Sequence, residues 1–220
     1  MLCLLAGSEA KAEVGALQTD CKLGGKQADG SYQFVATCAG RSLSPNGHFA
    51  IVQRAYDDDQ PPIELQTAQG LTLAKLPSLS DDMPFSVSWA PNSQWFYVNH
   101  HVGSFMDLLQ VFEIVDHSAV ERPALVNSAV QIATSLYPCL APQLVLPNGT
   151  RWAPDSRHIV MVTISRPDAC STDFSKHPGN WHSLWMIGDA STGTVDAASV
   201  RVQPDDKPLQ APSDGVYARR

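Results

Sequence analysis

An all-β fold of repeated antiparallel sheets is what this sequence predicts, on two observations. One eleven-residue text is written three times, and each copy is followed by further strand-like runs. Trp152 to Val162 reads W-A-P-D-S-R-H-I-V-M-V. Trp89 to Asn99 reads W-A-P-N-S-Q-W-F-Y-V-N, and Leu43 to Gln53 reads L-S-P-N-G-H-F-A-I-V-Q. Pro45, Pro91 and Pro154 lie 46 and then 63 residues apart. Self-similarity at such spacing marks repeated supersecondary units, and a four-stranded propeller blade takes roughly 40–50 residues. The first interval is then one blade, and the second a blade with an insertion. The expected fold is an incomplete or distorted β-propeller-like array of about three blades, spanning 13–202 as a single domain.

Each copy reads as strand, turn, returning strand. Proline pre-sets φ for the first central position of a tight turn, Asn or Asp tolerates the second, and Gly or Ser closes it. The returning strands, Trp95 to Val98 and Ile159 to Val162, are continuous apolar runs. Such runs belong to strands covered on both faces. Pro62 to Thr67 and Leu71 to Leu76 form the next pair, split by Ala68-Gln69-Gly70. Leu108 to Val115 follows the second copy. Trp181 to Ile187 and Thr194 to Val202 follow the third, joined through Gly188 to Gly193.

The S-P-[ND]-G-x-x-[apolar] text resembles the repeat of TolB-type β-propellers, whose blades carry S-P-D-G before the second strand. The resemblance covers most of 31–202 and implies a propeller fold. It is weak as a guide to function, because such propellers serve as scaffolds, inhibitors and substrate gates alike.

The chain is long enough to bury a substantial core. No apolar run reaches the ~18 residues of a membrane span. A formal charge of −7 argues against binding a phosphate backbone. At the start, Leu2 to Ala6 is apolar and Ala10-Lys11-Ala12 fits a small-x-small cleavage site, so 1–12 reads as the remnant of a signal peptide. Its removal leaves Cys21, Cys38, Cys139 and Cys170, an even number with no C-x-x-C pair. The expected pairs are Cys21–Cys38, across a hairpin turned at Asp29-Gly30, and Cys139–Cys170, tying the insertion to a third-blade loop. Each such bond contributes about 2–4 kcal/mol when unstrained. The expected location is periplasmic or secreted.

Within the insertion, Leu125, Val126, Ala129, Val130, Ile132, Ala133 and Leu136 share one helical stripe over 124–136, between Pro123 and Pro138. The same residues suit an outer strand, and both readings stand. The stretch 203–220 reads as an extended or disordered tail.

The chemistry-bearing motifs are few. There is no G-x-S-x-G elbow, Walker loop or dinucleotide fingerprint. Asp57-Asp58-Asp59 lacks the spaced acidic pattern of a calcium loop. No metal or other cofactor is expected. His100 and His101 are adjacent, and adjacent strand residues point to opposite faces. If the repeats are blades, the connections at 55–61, 100–106 and 166–180 emerge on one face. They carry Tyr56 and Asp58, then His100, His101, Ser104, Phe105 and Met106, then Phe174 and His177. Aromatic anchors among short polar residues suit a protein-binding face.

The expected function is an exported, non-catalytic protein-binding module. Its sharpest form is an immunity-type inhibitor blocking a cell-wall or envelope-directed hydrolase that acts in the periplasm. The alternatives are a TolB-like envelope scaffold or accessory subunit, and a hydrolase with its site around His100 and His101.

Overall fold

The computed structural model describes residues 21–55, 62–79, 83–103, 106–137, 140–165 and 182–204. In chain order the strands are β1 (Gly25–Lys26), β2 (Tyr32–Phe34), β3 (Gly40–Leu43), β4 (Phe49–Gln53), β5 (Glu64–Thr67) and β6 (Thr72–Lys75). There follow β7 (Phe85–Trp89), β8 (Trp95–Gly103), β9 (Met106–Val115) and β10 (Ser118–Glu121). Helix α1 (Ala124–Leu136) precedes β11 (Asn148–Trp152), β12 (His158–Ser165), β13 (His182–Asp189) and β14 (Thr194–Pro204). The molecule is mostly β, in three antiparallel sheets. The first is β3-β4-β5-β6 and the third β11-β12-β13-β14. The second has six strands, β1-β2-β7-β8-β9-β10, because the short β1–β2 hairpin adds to the free edge of β7.

The three copies of the repeated text are the β3–β4, β7–β8 and β11–β12 hairpins, and one mechanism shapes all three turns. Ser44, Ala90 and Ala153 each accept a backbone hydrogen bond from the residue three positions on, at 2.9, 2.9 and 3.1 Å. The Asx side chain accepts from the N–H two residues ahead: Asn46 from His48, Asn92 from Gln94, Asp155 from Arg157, all at 2.9–3.0 Å. The next residue turns left-handed, with φ of 71° at Gly47, 63° at Ser93 and 62° at Ser156.

Serine is a costlier choice than glycine for a left-handed position. Its hydroxyl explains it. The Asn46 N–H donates to Ser93 Oγ at 3.0 Å, and the Asn92 N–H donates to Ser156 Oγ at 2.9 Å. The first and second turns are thus each clasped to the equivalent turn of the next repeat. The tryptophans that open copies two and three reach back the other way. Trp89 Nε1 donates to Ser42 Oγ at 3.2 Å, and Trp152 Nε1 to the Ser88 carbonyl at 3.0 Å. Trp152 is buried and Trp89 half-buried, whereas Leu43, in the same place in copy one, is 53% exposed.

The second sheet is sandwiched. On one face Phe85, Val87, Phe96, Val98 and Phe112 meet Ile51 and Leu65 of the first sheet. On the other, Tyr97, Leu109 and Val111 meet Ile159, Met161, Leu184 and Met186 of the third. This double cover is why its strands read as continuous apolar runs.

The 124–136 segment is a helix. Leu125, Ala129 and Ala133, one turn apart, are fully buried and pack its stripe into the core between the second and third sheets. Ser128 Oγ accepts the Val195 N–H at 3.0 Å, fastening α1 to β14.

The Cys21–Cys38 disulfide forms, with Cα atoms 5.7 Å apart, and it brackets the β1–β2 hairpin. That hairpin turns through Gly30 at a φ of 89°. Asp29 Oδ1 accepts from both the N–H and the hydroxyl of Ser31. The other expected pair, Cys139–Cys170, lies outside the described residues, as do 1–20 and 205–220. No helix among the described residues is long and apolar enough to cross a membrane.

Candidate functional site

The clasped turns fix which loops share a face. Because the β3–β4, β7–β8 and β11–β12 turns touch in series, the far ends of β4, β8 and β12 all lie at the opposite end of the array. From there the chain leads into the segments at 56–61, 104–105 and 166–181. Tyr56, Asp58, Ser104, Phe105, Phe174 and His177 fall in those segments, outside the described residues. The candidate site that can be built is therefore the end of the β8–β9 ribbon.

The β8–β9 ribbon extends past β7. Strands β8 and β9 run 9 and 10 residues, whereas β7 has 5 and stops pairing with β8 at His100. Beyond that point β9 continues beside it, pairing His101 with Asp107 and Gly103 with Met106 across an irregular register, while on the β7 side the His101 N–H donates to the Pro84 carbonyl at 3.2 Å. Read from sequence, His100 to Met106 is a connecting loop; in the structure His100 to Gly103 belong to β8 and Met106 to β9. The polar run Asn99-His100-His101 hides the strand, which backbone pairing carries on past the apolar run.

The two histidines do face opposite ways. His100 is buried at 9% exposure on the side of the first sheet. Its ring stands edge-on to Phe85, with centroids 6.5 Å apart, and Phe85 in turn stacks on Phe34 at 4.5 Å. His101 lies on the other face and is 32% exposed. Its Nδ1 sits 2.8 Å from Asp107 Oδ1, a carboxylate 41% exposed. Met106 opens β9 beside this pair.

The sequence reading missed Asp107. Six residues from His101, it meets the imidazole because β8 and β9 pair these two positions, and a cross-strand partner cannot be named before the register is known.

The base of the ribbon is anchored in the third sheet. Asn99 and Gly149 exchange two hydrogen bonds, Nδ2 to the Gly149 carbonyl at 2.7 Å and the Gly149 N–H to Oδ1 at 2.9 Å. A side chain at Gly149 would lie 2.8 Å from the Tyr97 ring, so glycine is what lets these backbones close. Burial pushes the Tyr97 phenol above its ordinary range, keeping it neutral.

Chemically, the end of the ribbon offers an imidazole whose Nδ1 is held by a carboxylate and a firm strand pair to present it. Among the described residues, no group of three or more His, Cys, Asp or Glu is placed to hold a metal ion. No family model, curated protein or solved structure matches the chain.

Proposed function

We propose that this chain is an exported, non-catalytic protein-binding module on a propeller-like array of three blades. In its specific form it is an immunity-type inhibitor that blocks a cell-wall or envelope-directed hydrolase. The observation that carries the reading is the β8–β9 ribbon. It extends past β7 with its base fixed by the Asn99–Gly149 exchange and its end bearing His101 and Asp107. A firmly held projection loses little conformational freedom when it enters a cleft, and that preorganisation favours binding. The Cys21–Cys38 bond supports an oxidising compartment.

The test is a cell-wall hydrolysis assay in periplasmic extract with the purified chain added. Inhibition that His101→Ala and Asp107→Ala weaken about tenfold is the expected result, a loss of ~1.4 kcal/mol in binding. Full inhibition by both variants would remove the ribbon from the interface, and no inhibition by the native chain would sink the inhibitor.

The His101–Asp107 pair also favours one reading of another class. A carboxylate on Nδ1 fixes the tautomer and leaves Nε2 to act as a general base, the arrangement hydrolases use. In a hydrolase, Asp107→Asn would lower turnover of a chromogenic ester and leave the fold unchanged. Turnover by the native chain that His101→Ala abolishes would replace the binding reading with this one.

A further inference from the structure

At the turn end of the array, opposite the β8–β9 tip, a cleft of about 360 Å³ opens between the first and second sheets. Its walls combine the β3–β4 turn with the β7–β8 and β9–β10 turns. We infer that it is a docking site for an arginine side chain presented by an extended segment of a partner protein.

Charge comes first. Among the described residues, Asp116 is the one carboxylate lining the cleft, and neither lysine nor arginine lines it. The chain as a whole carries a formal charge of −7, which draws a cationic segment toward it. Phe49 and Ile114, both half-buried, supply the apolar wall. A methylene stem lies well against such a wall, and a guanidinium gains from an aromatic face.

The amides argue for a peptide rather than a free cation. Asn46 Oδ1 is taken by the His48 N–H and the Ser44 hydroxyl, at 2.9 and 2.8 Å. Asn92 Oδ1 is taken by the Gln94 N–H at 3.0 Å. These contacts leave the amide nitrogens as the donors of both side chains; Asn92 Nδ2 gives one hydrogen to Gln94 Oε1 at 3.5 Å, and the remaining N–H groups match main-chain carbonyls. Gln94 Oε1 accepts that Asn92 hydrogen and keeps a second acceptor position, which stands with Asp116 for the guanidinium.

The β9–β10 turn adds an independent observation. Asp116 and His117 are consecutive left-handed residues, at φ 48° and 66°. A two-residue hairpin turn of this kind is easiest with glycine at the second place. Histidine stands there instead, its ring centroid 6.4 Å from that of Phe49. The strain is kept together with a histidine ring set beside the aromatic wall of the cleft, a pairing that a site would use.

The experiment titrates the isotope-labelled full chain with acetyl-Gly-Arg-Gly-amide and follows amide shifts. Shifts confined to the turns at 46–49, 92–94 and 114–117 are expected, with Asp116→Asn weakening binding at least fivefold. His117→Gly should raise the melting temperature by relieving the turn while it weakens the peptide, a pairing that a purely structural residue would not show. The inference is overturned by equal binding of the Glu-substituted peptide, by native affinity in Asp116→Asn, or by shifts outside these turns. Free arginine binding as tightly as the peptide would make the cleft a small-cation site and overturn the protein partner. The ribbon tip lies at the other end of the array, so this result and the inhibition assay fail separately.

Discussion

The backbone N–H of Asn92 donates to the Ser156 hydroxyl at 2.9 Å, and one repeat earlier that of Asn46 donates to Ser93 at 3.0 Å. The two bonds occupy the same place in successive turns, so each serine hydroxyl joins one sheet to the next. Ser93→Ala keeps the left-handed strain and removes the acceptor, which should cost about 1 kcal/mol. Ser156→Ala should cost a similar amount, and the double variant about the sum, because the two clasps bridge different sheet pairs. Urea midpoints of the three variants measure this. Alanine variants as stable as the native chain would show that the hydroxyls only fill space.

Acid should loosen the first sheet through Glu64. Burial pushes this carboxyl up, but hydrogen bonds from Gln66 at 2.6 Å and Thr72 at 2.9 Å, with Arg54 at 3.2 Å, outweigh burial and hold it below its ordinary value. A carboxyl depressed on folding stabilises above its unfolded pKa, and that contribution is lost as pH falls through the folded one. Asp155 and Asp189 are also depressed, so all three act in the same direction. Urea midpoints should fall from pH 5 to pH 3, and less steeply in Glu64→Gln. An identical pH profile in that variant would rule Glu64 out as a contributor.

Breaking Cys21–Cys38 should act through the unfolded chain. The bond closes a loop of sequence separation 17. Chain-entropy arithmetic for a loop of that size gives about 3 kcal/mol. Cys21→Ala with Cys38→Ala should lower the midpoint accordingly while leaving the far-UV spectrum β-rich. Reduction of the native chain with a mild thiol should produce the same shift; if it does not, the bond is not formed in solution.

Gly149→Ala should be the most damaging single-methyl change near the candidate site. The added carbon would meet the buried Tyr97 ring at 2.8 Å and push apart the strands that Asn99 joins. Overpacking of this kind costs typically 1–3 kcal/mol. Thermal melting reads the stability, and the hydrolysis assay reads whether the ribbon has shifted with it. A neutral outcome would mean the second and third sheets separate more easily than their packing implies.

The hairpin turns were legible because Pro-Asx-small carries its own mechanism: a fixed φ, an acceptor for the N–H two residues on, and a left-handed closer. What the closing residue does beyond closing was not legible. The hydroxyls of Ser93 and Ser156 act on a neighbouring repeat, and no local pattern encodes that. The 124–136 stretch suited a helix or a strand equally in sequence. The small Ala129 and Ala133 decide it by packing α1 into the core between the second and third sheets. Strands β1 and β2, of two and three residues, are too short to show a period. Asp107 was invisible as a partner for His101 because cross-strand neighbours depend on register. The remaining expected binding residues, from Tyr56 to His177, lie mainly outside the described segments.

Gly47 stands where the later repeats have serine, and it has no hydroxyl to offer. The clasp therefore gives the array a direction. A further hairpin written after the third sheet, with serine in its closing place, would find the backbone donor of Asp155 in the position from which Asn46 and Asn92 reach forward. One written ahead of the first sheet would find no acceptor unless Gly47 were exchanged for serine. By this bond alone, a hairpin added after the third sheet would gain a joint of about 1 kcal/mol that one added ahead of the first would lack.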